Sequence, residues 1–207
     1  DLFRIFIGGT LLGGGKLDEA DAVITDLVAR FRASGPPTFL NWALYLQAAA
    51  ADIGGDPDRA GELYDQALNV EVPPQTNSPN DVLRARTLYR RGRHRQAFAV
   101  LRTYSSELLE TGNLGGATIV AIEFINLMVA HRRLDLAATV MGYIDSTGLL
   151  EVEGPAFRLL VDEASSMIDG DPETTAIRRR SAAEGIDDRR SLQVIRDLLD
   201  TLLDLPD

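Results

Sequence analysis

The chain has no cysteine, a single lysine and only two histidines in its 207 residues. Without cysteine there is no disulfide framework and no thiolate metal site, which fits a reducing compartment, and a cytoplasmic location is expected. Lys16 is the only lysine, and every other basic side chain except the two histidines is arginine. That bias reads as the codon usage of a GC-rich bacterial genome. His94 and His131 are each flanked by arginine, with no second histidine or carboxylate at metal-ligand spacing. They are expected to be solvated surface groups, and no metal or cofactor is expected. Neither H-E-x-x-H nor G-x-S-x-G occurs, and no carboxylate pair is set apart for acid–base work, so no catalytic residue is assigned.

Long apolar runs are missing too. The longest, from Ala117 to Ala130, is interrupted by Glu123 and Asn126 and is too short and too polar to span a bilayer. No secretory signal opens the chain, and Asp1-Leu2-Phe3-Arg4 lacks an initiator methionine, so an excised domain is expected. A net charge of −10 argues against wholesale phosphate binding, and no direct nucleic-acid partner is expected. What remains is ordinary: 45% apolar and 25% charged residues, the composition of a folded domain and not of a disordered one.

An internal repeat decides the fold class. Gly8, Gly15, Ala20, Ile24 and Leu27 are separated by steps of seven, five, four and three. The same steps recur at Ala48, Gly55, Ala60, Tyr64 and Ala67, and at Ala85, Gly92, Ala97, Leu101 and Tyr104. A fourth copy runs Ile125, Arg132, Ala137, Met141 and Ile144. The first member of each set falls on a first helix at its closest approach to a second. The next falls in the turn, where glycine tolerates a left-handed backbone. The last three share one face of the second helix. Arg132 stands where a turn glycine is expected, which puts that turn's geometry in question.

The pattern resembles the tetratricopeptide repeat, a helix–turn–helix unit with an Ala-x-x-x-aromatic core. Gly55-Asp56-Pro57-Asp58-Arg59-Ala60 through Tyr64 and Ala67 carries the closest likeness. The resemblance implies an all-α, right-handed α–α superhelix of about eleven helices. Helices are expected at 2–13 and 17–34, 38–53 and 57–70, 79–91 and 94–110, and 114–131 and 134–147. Further helices are expected at 155–169, 172–184 and 188–204. Inserts at Gly35-Pro36-Pro37 and at residues 73–79 stretch the period, and Gly112, Gly148 and Gly170 mark helix stops. Residues 1–170 are expected to form the repeats and 171–207 a capping pair. The last helix carries Leu192, Val194, Ile195, Leu198, Leu199, Leu202 and Leu203 as an apolar stripe. That stripe is expected to close the final repeat face; the alternative is pairing between two chains.

The glycine-rich segment from Gly8 to Lys16 invites a phosphate-loop reading and fails it. Thr10 replaces the first glycine, and Leu17 replaces the hydroxyl residue that would hold magnesium. Seven arginines between residues 84 and 102 (Arg84, Arg86, Arg90, Arg91, Arg93, Arg95 and Arg102) form the one basic island. Three readings stand for it: a salt-bridged solvated face, a surface for an acidic peptide or neighbouring domain, and, least favoured by the sparse aromatics and acidic chain, a nucleic-acid contact. In a tetratricopeptide-like solenoid the first helices line a concave groove. That register points Trp42, Tyr45, Arg86, Tyr89, Arg90 and Asn126 toward a protein or peptide partner. Trp42 can equally be core.

The segments at residues 136–148 and 182–192 are similar to the closing region of large bacterial regulators. Those proteins join a signal-transduction ATPase module to helical repeats and often add a LuxR-type DNA-binding or cyclase domain. The resemblance implies a non-catalytic sensing or interaction arm, meeting a protein segment or other domains of its own polypeptide.

Overall fold

Four tight turns with one backbone geometry organise the molecule. Gly15, Gly55 and Gly92 have φ of 72°, 79° and 73°, and Arg132 has φ of 58°. These are the second members of the four sets. At each turn the amide of that residue donates to the carbonyl three residues back, and the next amide donates to the carbonyl five residues back. Gly92 reaches Tyr89 at 2.9 Å and Arg93 reaches Leu88 at 2.9 Å; Arg132 reaches Val129 at 3.0 Å and Arg133 reaches Met128 at 2.8 Å. This double bond is how a left-handed residue caps a helix C-terminus. Arg132 therefore keeps the geometry its side chain put in question, at a strain of about 1–2 kcal/mol that glycine would not carry.

The structure is a computed structural model and describes residues 2–73, 80–147 and 155–204. Among these residues there are eleven α-helices and no strand. In chain order they are α1 (Leu2–Gly13), α2 (Leu17–Ser34), α3 (Pro37–Ile53), α4 (Pro57–Leu68), α5 (Asn80–Arg90) and α6 (His94–Thr111). After a short 3-10 turn at Leu114–Gly116 come α7 (Ala117–Ala130), α8 (Leu134–Thr147), α9 (Pro155–Asp169), α10 (Pro172–Glu184) and α11 (Asp188–Asp204). Residues 74–79 of the second insert and the helix stop at Gly148 lie outside the described residues.

Sequence chemistry sets the helix ends. Asp56 and Asp171 cap α4 and α10, each accepting from the amide three residues on, at 3.0 Å, with a proline in the first turn. Bonds to the backbone amide and hydroxyl of Thr174 hold the Asp171 carboxyl below the usual carboxylate range.

Helices α1 and α2, α3 and α4, α5 and α6, and α7 and α8 pack as successive hairpins. Ala20, Ala60, Ala97 and Ala137 are fully buried at their interfaces, as are Ile24, Tyr64, Leu101 and Met141. On the opposing helix Gly8 needs its missing side chain, because a Cβ there would lie 2.8 Å from Cγ1 of Ile24. The first helices also touch across hairpins, α1 with α3 and α5 with α7.

The apolar core forms two clusters. One joins α1 to α4 and includes Leu83; the other joins α5 to α11. Trp42 packs against both. Leu192, Ile195, Leu199 and Leu202 of α11 belong to the second cluster, and Ile177 of α10 packs against it.

The last three helices fold back on the earlier ones. Helix α9 lies against α1, α3 and α7 as well as α8, so it covers part of the face that the first helices share. Its Val161, Ala164 and Ile168 are buried there. Helix α10 packs along α8, and α11 turns back onto α6, α7 and α8. The cause is α7, which is apolar around its circumference and must be enclosed on every side. Leu192, Ile195 and Leu199 are fully buried by this arrangement. Val194, Leu198 and Leu203 of the same stripe are only half-buried.

Candidate functional site

Helices α3, α5 and α7 carry the six residues that the repeat register points at a partner. Tyr45 and Arg86 are enclosed, at 2% and 9% exposure. Trp42, Tyr89 and Asn126 are half-buried and Arg90 is exposed. A partner could therefore touch Trp42, Tyr89, Arg90 and Asn126 but not the first two.

Tyr45 and Arg86 belong instead to a polar network inside the bundle. Arg86 donates from Nε and Nη2 to Oε2 of Glu123, at 2.9 and 2.5 Å, and from Nη1 to the hydroxyl of Tyr64. Tyr64 in turn donates to Asp52 at 2.9 Å, and Asp52 also accepts from Arg90. Arg86 and Arg90 lie over the Tyr64 ring, 5.1 and 5.5 Å from its centroid. Tyr45 closes the network from the side, its ring 6.3 Å from that of Tyr64.

Burial pushes the Tyr64 and Tyr45 hydroxyls well above the usual tyrosine range. Burial opposes charge on Arg86, yet Glu123 and the two tyrosines hold its guanidinium firmly protonated. Two guanidinium and two carboxylate groups balance in charge and tie α3, α4, α5 and α7 together. One atom is left over: Oε1 of Glu123 is buried with no hydrogen-bond partner among the described residues. Among the described residues, no group of three or more histidine and carboxylate side chains could hold a metal.

A second cluster was not legible in the sequence. The two histidines, expected as separate surface groups, meet across neighbouring turns. Their ring centroids are 5.6 Å apart, nearly perpendicular at 78°. Tyr89 stacks on His94 at 4.3 Å, and Phe98 sets its ring against His131 at 5.3 Å. The Tyr89 hydroxyl lies 3.4 Å from Nδ1 of His131. Burial, then the neighbouring His94 and Arg133, hold the His131 pKa below the usual histidine value. The signal available in the sequence was the repeat itself, since turns one period apart lie side by side.

No family model, curated protein or solved structure matches this chain. Its chemistry must therefore be argued from its own geometry.

The basic island divides. Arg86 and Arg90 serve the network, Arg91 pairs with Asp65 at 2.8 Å, and Arg102 reaches Asp200 on α11 at 2.9 Å. All four are ion-paired, Arg90, Arg91 and Arg102 on the surface and Arg86 inside the bundle, where the solvated-face reading does not describe it. Arg84 and Arg93 are exposed and have no ion pair among the described residues. An open hollow elsewhere, at the α2–α3 corner between Phe31, Pro36 and Phe39, includes none of the six register residues.

Proposed function

We propose that this chain is a tetratricopeptide-like interaction module, a right-handed stack of helix pairs that binds a protein or peptide segment and performs no chemistry of its own. The observation that carries the reading is the shared left-handed turn at the second member of all four sets. Four hairpins with one register and one turn are what a repeat array requires, because each unit buries its open face only against the next. Local charges support a binding role over catalysis. The buried carboxylate Glu123 is held by Arg86, and the network's other members hold one another.

The partner face is the part of α3, α5 and α7 that carries Trp42, Tyr89, Arg90 and Asn126. Helix α9 restricts it, so a short extended or helical segment fits better than a broad protein surface. The further proposal is that the module sits in the cytoplasm as the sensing arm of a multidomain bacterial regulator. Its apolar α1 face, with Phe3 and Phe6 at 76% and 63% exposure, is in keeping with a chain that packs on further protein.

Peptides selected from a random display library against the intact chain test the reading, with hydrogen exchange mapping where they bind. Amides of α3, α5 and α7 should gain protection, and replacing Asn126 by alanine should weaken binding about tenfold without moving the unfolding midpoint. Protection confined to α2, α4 and α6 would contradict it, as would a library that yields no binder.

A further inference from the structure

We propose that the edge formed by the α5–α6 and α7–α8 turns is a binding site for a carboxylate-rich peptide. This goes beyond the groove reading, since the charged groups of the site come from the two turns and not from the first-helix faces.

The inference starts from Arg132. Three of the four equivalent turns use glycine at the left-handed position, and the fourth holds an arginine at φ 58°. No intramolecular contact offsets that strain: the Arg132 side chain is exposed, with no ion pair or hydrogen bond among the described residues. A strained residue that holds nothing in its own chain is most simply explained by something outside it. In the neighbouring turn Arg93 follows the left-handed Gly92 and is equally exposed, with no ion pair among the described residues. His94 and His131 bring the two turns together; the half-buried Tyr89 ring stacks on His94, and Phe98, buried in the core, backs His131 from within.

Charge identifies the ligand. The chain carries a net −10, and acids on this side are set against other arginines: Asp65 against Arg91 and Asp135 against Arg133. Among the described residues none forms an ion pair with Arg93, Arg132 or the two imidazoles. Two free guanidinium forks and two imidazoles match several carboxylates spaced along an extended peptide, each accepting charge-assisted hydrogen bonds. The half-buried Tyr89 ring adds contact for the peptide's aliphatic stems.

The test uses the intact chain and a hexaglutamate peptide at low salt, where such contacts are least screened. The two histidines give two resolvable ring signals in proton NMR, so binding at this edge is read directly. Both signals should shift saturably, and Arg93→Ala or Arg132→Gly should weaken the affinity at least tenfold. Arg132→Gly should at the same time raise the urea midpoint, because glycine relieves the turn; loss of binding then cannot be loss of fold. The proposal is overturned if the histidine signals do not move, or if Arg132→Gly binds as the parent chain does. Inorganic phosphate or an oligothymidylate binding here as tightly as the peptide would overturn it too, since the site would then recognise phosphate.

Discussion

Replacing Arg86 by alanine is expected to lower stability by about 3–5 kcal/mol, the usual result of stripping one partner from a buried ion pair. Glu123 is 1% exposed, and both of Arg86's bonds to it end on the same oxygen. The other carboxylate oxygen already lacks a partner among the described residues, so the variant would strand a whole carboxylate in an apolar helix. Tyr64 would lose its guanidinium donor in the same step. Urea unfolding followed by circular dichroism measures the effect. The double variant Arg86→Met with Glu123→Leu separates charge from volume: it should recover most of the loss, because apolar replacement of a buried pair is often neutral or favourable. A single-variant loss below about 1 kcal/mol, the scale of an exposed pair, would show that the network is not enclosed as described. Because Arg86 is enclosed, any loss of partner capture in its alanine variant would reflect unfolding and not a missing contact.

The second large effect is expected at Gly142. A Cβ there would lie 2.3 Å from the carbonyl oxygen of Arg178, 2.7 Å from Cβ of Ser181 and 2.9 Å from the amide nitrogen of Ala182. Two of these are backbone atoms of α10 and cannot rotate away. Alanine would force α8 and α10 apart, straining Arg178, which holds Asp145 at 2.7 Å and Asp169 at 3.0 Å. The bond from Tyr143 to Glu184, at 3.1 Å, would be strained with it. Overpacking of this kind costs about 1–3 kcal/mol and sometimes more. At an open helical position the same change would stabilise by up to about 1 kcal/mol through helix propensity. The sign of the measured change therefore decides whether α10 is seated on α8.

Local structure was legible in the sequence because local chemistry sets it. Turn glycines, Asp-Pro caps and apolar spacing placed the helix ends of α2, α8, α10 and α11 where the structure has them. What the repeat did not reveal lies in contacts between distant segments. Glu123 was visible only as an interruption in an apolar run, and its partner sits on another hairpin. The even apolarity of α7 was the available sign that other helices enclose it, since a first helix lining an open groove would keep a polar stripe. That sign does not say which helices do the enclosing, and α9 and α11 were instead expected to continue the array and cap it. The histidines were read one at a time, whereas stacking the hairpins sets their turns together. Among the six register residues, the period left Arg90 exposed and Trp42, Tyr89 and Asn126 half-buried. It could not reveal that Tyr45 and Arg86 are drawn inward by Tyr64 and Glu123.

The repeat register, with its left-handed second member, is the premise beneath both the fold and its proposed use. Two glycines of one hairpin test it side by side. Gly55 has φ 79°, whereas Gly61 lies within α4 and a Cβ there would meet nothing nearer than Nη1 of Arg90 at 3.9 Å. Equilibrium urea unfolding of Gly55→Ala and Gly61→Ala should give changes of opposite sign: a loss of about 1 kcal/mol at the turn and a gain of about 0.5–1 kcal/mol in the helix. Changes of the same sign at both positions would contradict the register.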